Sequence, residues 1–459
     1  MPRAPKKPPA GMAGFSIVWA GQVLSLLGTA MSNFGLTIWA FKQTGRATDL
    51  ALIGFFFMLP MLLTMPIIGV LVDRYNRKLM MMVSDLAAGV VTIVLLVLYL
   101  TGSLQIWHLF ATSFISGIFQ GFQWPAYSAA ITLMLDKKHY TRASSMLQLA
   151  QSGSNIFAPL AAGALLDVIG LQGILLFDII TFVFAIGTLF FVHIPEPERT
   201  TEHRAGQSNR LPEAASGFRY IKERPSLLWL QSLFMVGNFF SSIGFTLLAP
   251  MILARTGSNE VIFGGVQTIG ALGGVAGGLI IGAWGGFKRR INGVLIGWTL
   301  TMASMIVTGL GRPEPAWAGL PVWGTSTLVG AFCGTLINAS NQAIWQTKVA
   351  PDVQGRVFSI RSLIAIGTVP LAQLAAGPLA DRVFEPAMQP GGALASALGW
   401  LVGTGAGAGM SLIFILAGGL GLLTSLVGYA LPTVRNVEDI LPDHDALSGA
   451  LALAEAGVD

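Results

Sequence analysis

Apolar stretches long enough to cross a lipid bilayer recur twelve times along this chain, and no other feature constrains its fold as strongly. A hydrocarbon core about 30 Å thick takes roughly 20 helical residues, and inside it every backbone polar group must find a partner within the protein. The stretches are 15–41, 50–72, 79–101, 105–133, 141–169, 171–192, 226–253, 260–284, 291–311, 317–347, 356–381 and 405–433. At 53% hydrophobic and 11% charged residues the chain lies outside the soluble globular range. Its single cysteine, Cys333, rules out an internal disulfide. Residues 1–13 are basic and proline-rich without a cleavage site, so no removable signal peptide is expected.

The cations give the orientation. An even number of spans puts both termini on one side. That side, with the even-numbered links, holds 22 of the 27 Lys and Arg residues, counting Arg361 just inside span eleven. Lys42, Arg46, Arg255, Arg312 and Arg382 make up the other face. Under the positive-inside rule both termini are cytoplasmic. The expected organisation is an N-tail at 1–14, six helices over 15–192, a linker at 193–225, six helices over 226–433 and a C-tail at 434–459. Within the linker, Pro212–Glu223 reads as an interfacial helix with Phe218 and Ile221 on one side. The outer connection 382–404 is long and rich in glycine and alanine, and entry into the membrane is left open.

Between spans two and three stands GVLVDRYNRK, Gly69 to Lys78. So short a link is a tight turn carrying Asp73 ahead of Arg74, Arg77 and Lys78. The pattern resembles the loop 2–3 signature of the major facilitator superfamily, with Asn76 where the family has glycine; asparagine also tolerates positive φ. The resemblance implies a gate: glycine for close helix contact, the aspartate against a neighbouring helix N-terminus, and the cations at the cytoplasmic surface. Asp85 and Arg361 lie at similar depth, and Arg361 is expected to pair with Asp73 or Asp85. In span five, SNIFAPLAAG is similar to the family's antiporter motif, with Ala158-Pro159 for glycine-proline and Ala162-Gly163 for the paired glycines. In span four Gly117 stands where many proton-coupled relatives carry an arginine, which removes coupling through that position. Asn338–Pro386, with the loop motif, resembles the macrolide-efflux-like and siderophore-exporter-like branch.

An internal repeat supports two parallel halves. AAGALLD at Ala161–Asp167 matches AAGPLAD at Ala375–Asp381, and Arg142 and Arg356 precede the two aspartates by the same interval. Span eight carries glycine at 270, 274, 278, 282 and 286, a stripe read as a close-packing or sliding face.

A carboxylate at helix centre costs about 2.5–3.5 kcal/mol on insertion scales, so buried polar residues direct attention. Asp178 in span six is either a proton or cationic-substrate site or a helix-bonded structural group. Amides are plentiful, and Asn33, Gln120, Gln123, Asn155, Asn238, Asn341 and Gln342 are candidates for contacting substrate. Many fall in spans one, four, seven and ten, which line the cavity in proteins this chain resembles. Together with Trp124, Tyr127, Phe239, Phe240 and Trp345 they suit an amphiphilic organic solute.

No phosphate-binding G-x-x-x-x-G-K-[ST] loop occurs, GTGAGA at Gly403–Ala408 reads as a flexible helix start, and the five histidines lack metal-ligand spacing. The reading is therefore an all-α, twelve-helix secondary transporter and not an enzyme, with no cofactor or metal. It would be a monomer in the inner membrane, free of nucleic acid, exporting a small amphiphile such as a drug, macrolide or siderophore against protons or another ion. An importer on the same fold, a membrane enzyme on lipid-linked substrates and a non-transporting receptor are the alternatives.

Overall fold

The computed structural model describes residues 11–74, 77–136, 139–192, 210–312 and 318–444, with backbone alone at 66–74, 77, 124–133, 141, 210–215 and 351–352. The described residues contain helices and no strand. The main helices of the first half are α1 (Gly11–Thr44), α2 (Ala47–Arg74), α3 (Arg77–Leu100), α4 (Ile106–Met134) and α5 (Tyr140–Phe191). The linker contributes α6 (Arg210–Lys222). Then follow α7 (Pro225–Arg255), α8 (Glu260–Trp284), α9 (Arg290–Leu310), α10 (Gly319–Lys348), α11 (Pro351–Ile366), α12 (Val369–Leu379) and α15 (Ala408–Ala430), the last preceded by short α13 (Glu385–Met388) and α14 (Ala395–Val402).

Ten helices among the described residues are long and apolar enough to cross a membrane. One of them is α5, whose 52 residues are broken at Gly170 (φ 67°, ψ 177°) into two limbs. A side chain is strained at that φ, which is why glycine holds the turn. Adding α4, 29 residues long, gives the twelve crossings.

The chain divides into two compact units: Met1–Arg199 with Ile252–Thr268, and Thr200–Met251 with Ile269–Asp459. In the first, glycines seven residues apart on α1 form a seam against the second limb of α5. A Cβ on Gly21 would lie 2.5 Å from Thr188 Oγ1, on Gly28 3.0 Å from the Asp178 Cα, and on Gly35 3.0 Å from Leu171 Cδ1. Gly28 also meets Thr181 and Gly35 meets Ile174, so steps of seven up α1 (21, 28, 35) match steps of seven down α5 (188, 181, 174), the register of two antiparallel helices in close contact. Phe15, Val18, Met81, Phe122 and Leu189 close the core nearest the end of the unit where the termini and basic links lie, called the basic face below. There Lys78 Nζ donates to Val192 O at 2.8 Å and caps the last carbonyls of the second α5 limb, a favourable place for a cation.

In the second unit α9 packs between α10 and α15. Linker helix α6 forms within the expected stretch, but its two apolar residues diverge: Ile221 is fully buried while Phe218 is exposed. Gly217 brings α6 within 2.7 Å, at Cβ, of the Arg356 carbonyl on α11. The glycine stripe of α8 also needs correction. Gly270 of the stripe meets Thr327 of α10 at 3.4 Å, but the closest approach runs through Gly273, against Leu328 O, and Gly277, 3.1 Å from Phe332 O, whereas Gly274, Gly278 and Gly282 face open space. Gly286, at φ 78°, lies beyond the helix.

The repeat is visible in how each unit ends its helix. Asp167 lies three residues before the Gly170 break, and its counterpart Asp381 lies in a π-helical turn, Ala380–Phe384. The connection 382–404 then folds back onto α15. Met388 and Val402 form a cluster with Ala408 and Leu412, and Glu385 accepts from Gly407 N (3.0 Å) and Met410 N (2.8 Å) at the α15 N-terminus. At eight residues α14 is too short to span.

Candidate functional site

Among the described residues, four buried carboxylates sit in the first unit. Glu260 pairs with Lys42 and Asp49 with Arg46, whereas Asp85 and Asp178 have no cation partner among the described residues. The one nearer the basic face is Asp85 on α3, 4% exposed. Its Oδ2 accepts from Gln22 Nε2 on α1 at 2.7 Å, and its Oδ1 from Gln123 Nε2 on α4 at 2.9 Å. Gln123 Nε2 also lies 3.4 Å from Gln22 Oε1, so the three side chains close a triad. The second is Asp178 on the second limb of α5, 2% exposed. Its Oδ1 accepts from Thr29 Oγ1 (3.1 Å) and its Oδ2 from Thr92 Oγ1 (3.0 Å).

These two stations share a register. Gln22 and Thr29 are seven positions apart on α1, and Asp85 and Thr92 seven apart on α3. Two helical turns separate the stations by roughly 10 Å along the axes. The Gly28 contact with Asp178 fixes the upper station, because α1 comes close enough there for Thr29 to reach the carboxylate.

Asp85 and Arg361 belong to different units, and the recorded partners of each lie in its own unit. Both Asp85 oxygens are taken by amides, and Arg361 Nη1 donates to Gln342 Oε1 at 2.9 Å. Its guanidinium lies 5.3 Å from the ring of Trp345 and 5.6 Å from that of Phe358, within cation–π range. Pairing with Asp73, and the side chains of Gly69, Arg74, Arg77, Trp124 and Tyr127, lie outside what is described.

The amides divide into two groups. Asn33, Gln120 and Asn155 are exposed in mid-helix, positions that hydrocarbon would leave without partners, so they line accessible surface of the first unit. Asn238 is structural: its Nδ2 donates to Ala365 O at 2.9 Å, and Gln231 Nε2 donates to Arg361 O at 2.8 Å. With Thr368 Oγ1 on Met235 O (3.2 Å) they strap α7 to the break between α11 and α12. Asn341 is 2% exposed with its Oδ1 unbonded. Trp345 is fully buried rather than lining a cavity.

A third feature joins α5 to residues 252–268 of the same unit. A Cβ on Gly264 would meet Pro159 O at 2.6 Å, and one on Gly163 would meet Glu260 O at 3.0 Å. Ala158 and Ala162, both fully buried, complete this seam. Phe34 stacks on Phe263 at 5.1 Å, Thr268 Oγ1 donates to Ile156 O at 3.0 Å, and Lys42 pairs with Glu260. The glycine at 264 gave no signal in the sequence because its partner is a carbonyl from a distant helix.

The family model described as Major Facilitator Superfamily matches residues 18–369. Macrolide efflux protein A of Streptococcus pyogenes is 26% identical over 372 residues, covering 80% of this chain and 90% of that protein. An uncharacterised MFS-type transporter of Bacillus subtilis, YfiS, is 24% identical over 378 residues, 81% of this chain and 87% of its own. Among solved structures, a bacterial homologue of the human lysosomal transporter Spinster aligns with a TM-score of 0.62 at 15% identity, covering 91% of this chain and 96% of its own.

Proposed function

This chain belongs to the major facilitator superfamily, and on that premise we propose that it exports a small amphiphilic organic compound, such as a macrolide, drug or siderophore, in exchange for protons. It is a multi-pass membrane transporter. Both Asp85 and Asp178 lie within one unit of a single copy, so the reading is of a monomer in the inner membrane, with both termini cytoplasmic by the charge bias of its links. Alternating access would expose the amide-bearing face to each side in turn.

One observation carries the proton reading: Asp178 is buried with hydroxyl partners only. A threonine hydroxyl donates to a carboxylate and accepts from a carboxylic acid. Both protonation states of Asp178 are therefore bonded, as a site that loads and releases a proton requires. Efflux in inverted vesicles, with erythromycin and fluorescent amphiphiles, tests the reading. Gradient-dependent movement that is lost in Asp178→Asn supports it; gradient-dependent movement retained in the mutant returns Asp178 to packing.

A further inference from the structure

The partners of a buried carboxylate decide whether it can change protonation state. Most carboxylates with recorded partners in this protein are committed. Glu260 pairs with Lys42, Asp439 with Arg289 and Asp443 with Lys348, while Glu385 is held by two backbone N–H groups. A cation or a backbone N–H only donates, so it favours the ionised form and offers no acceptor to the O–H of a protonated carboxyl. Asp85 differs, because Gln22 and Gln123 are its recorded side-chain partners and an amide is donor and acceptor at once.

The triad can hold a proton without leaving a buried group unpaired. With Asp85 ionised, both oxygens receive amide N–H bonds, as observed. When hydronium gives a proton to Asp85, one hydronium O–H bond breaks, water leaves and an O–H forms on the carboxyl; that new donor needs an acceptor. Rotating the Gln123 amide presents its Oε1, and Gln22 Oε1 is already within 3.4 Å of Gln123 Nε2. No oxidant or further reactant is involved.

Among the described side chains no charged group is recorded against the triad. On the helices packed around this end of α3, the inner half of α1 carries no titratable residue, and α4 carries His108 at its far start and Tyr127 one turn beyond Gln123. On α5, Tyr140 and Arg142 stand at the basic face, Arg142 exposed, Asp167 lies just before the Gly170 break, and Asp178 belongs to the other station. On α3 itself, Lys78 Nζ is engaged with Val192 O. Asp136 and His139 lie in the link between α4 and α5. Gln123 is half-buried beside exposed Gln120, which gives the triad a route to solvent along α4.

We propose that the Gln22–Asp85–Gln123 triad is a second proton-binding site of the transport cycle, set on the basic side of Asp178; this rests on the proton-coupled export proposed above. The two stations lie in series on the same pair of helices. Phe182 fills the gap beside Gly89 between them, so each exchanges its proton separately and a full cycle carries two.

The test has two arms, both with full-length protein in phosphatidylethanolamine–phosphatidylglycerol liposomes. In the first, infrared difference spectra of Asp178→Asn are followed from neutral to acid pH for the carbonyl stretch of a buried protonated carboxyl. The band should grow on acidification and vanish in the Asp85→Asn, Asp178→Asn double variant. Absence of a band lost with Asp85 overturns the proposal. Gln123→Leu keeps the carboxyl should Asp85→Asn fail to fold, and should displace the midpoint by about one pH unit; an unmoved midpoint also overturns it. The second arm counts protons per erythromycin moved, which should fall by one in Asp85→Asn and recover in Asp85→Glu. An unchanged ratio, with gradient-dependent wild-type transport, overturns the proposal alone. Wild-type transport indifferent to the gradient, whatever the infrared result, overturns proton-coupled export itself and the coupling role of Asp85 with it.

Discussion

Gly264 faces the carbonyl of Pro159 so closely that a Cβ added to it would stand 2.6 Å from the oxygen. Backbone meets backbone there, so no side-chain rotation can relieve a larger residue. The proline at 159 keeps its stretch of α5 in place as one wall, and Gly163 repeats the close approach one turn on, against Glu260 O at 3.0 Å. Small residues are how membrane helices come together without an apolar driving force between them.

Gly264→Leu should therefore hold the seam apart. Efflux is expected to drop at least ~10-fold, equivalent to roughly 1.4 kcal/mol on the working state, with the protein still inserted. Gly274→Leu, where nothing lies within 4 Å, should transport like wild type. Equal loss in both variants would place the defect in α8 generally and remove the special standing of the seam.

The helical spans and the short link after α2 were legible because apolar length acts locally; the compact units were not, since residues 252–268 fold with the first unit rather than the second. Nor were the pairings. Asp85 and Gln22 are 63 residues apart and Thr29 and Asp178 are 149 apart, and an amide or hydroxyl does not announce its partner's helix. Within its own unit Arg361 has Gln342 and Trp345 of α10 as neighbours, and the sequence singles out neither as its partner. The α8 stripe misled for a simpler reason: spacing by four shows that glycines share a face, but not whether that face is covered. The seven-residue spacing of Gly21, Gly28 and Gly35 was the more informative pattern.

That seam on α1 gives a second prediction. Gly28→Ala adds a methyl 3.0 Å from the Cα and Oδ1 of Asp178, and closer still to Thr181 Oγ1. Overpacking of this kind costs about 1–3 kcal/mol. The variant should melt lower than wild type and show altered gradient dependence, because Thr29 is pushed away from Asp178. Gly187→Ala on the facing limb, with open space around it, should do neither.

The Lys42–Glu260 pair should behave asymmetrically. The lysine side chain is 46% exposed and the glutamate 8%. Removing the ammonium with Lys42→Ala strands a buried carboxylate, whereas Glu260→Gln leaves an ammonium that water can solvate. Thermal unfolding should therefore show Lys42→Ala as the more destabilised of the two. Since the pair is half open to solvent, its net worth is at most about 1 kcal/mol and should shrink with added salt. Equal melting temperatures for both variants would count against the burial argument.

The C-terminal segment docks through a different lysine, and its pH dependence follows from that contact. Lys348, at 5% side-chain exposure, donates to Glu438 O at 2.6 Å and to Leu441 O, and pairs with Asp443 Oδ1 at 2.8 Å. The hydrogen bond from Lys348 holds the Asp443 carboxyl below its ordinary range, helped by the charges of Lys348, Arg290 and His444 against a small opposing cost of burial. A carboxyl depressed in the folded state binds its proton more weakly there than in the unfolded chain. Its contribution is thus fully present above the unfolded value of about 3.9 and is lost as pH falls through the folded value. Hydrogen exchange over residues 437–443 should be protected evenly from about pH 5 to 8 and lose protection only below about pH 4, after correction for the intrinsic exchange rate. Asp443→Asn should remove that acid-side loss while lowering protection at neutral pH. A loss of protection centred near pH 6 would belong to some other group and set this account aside.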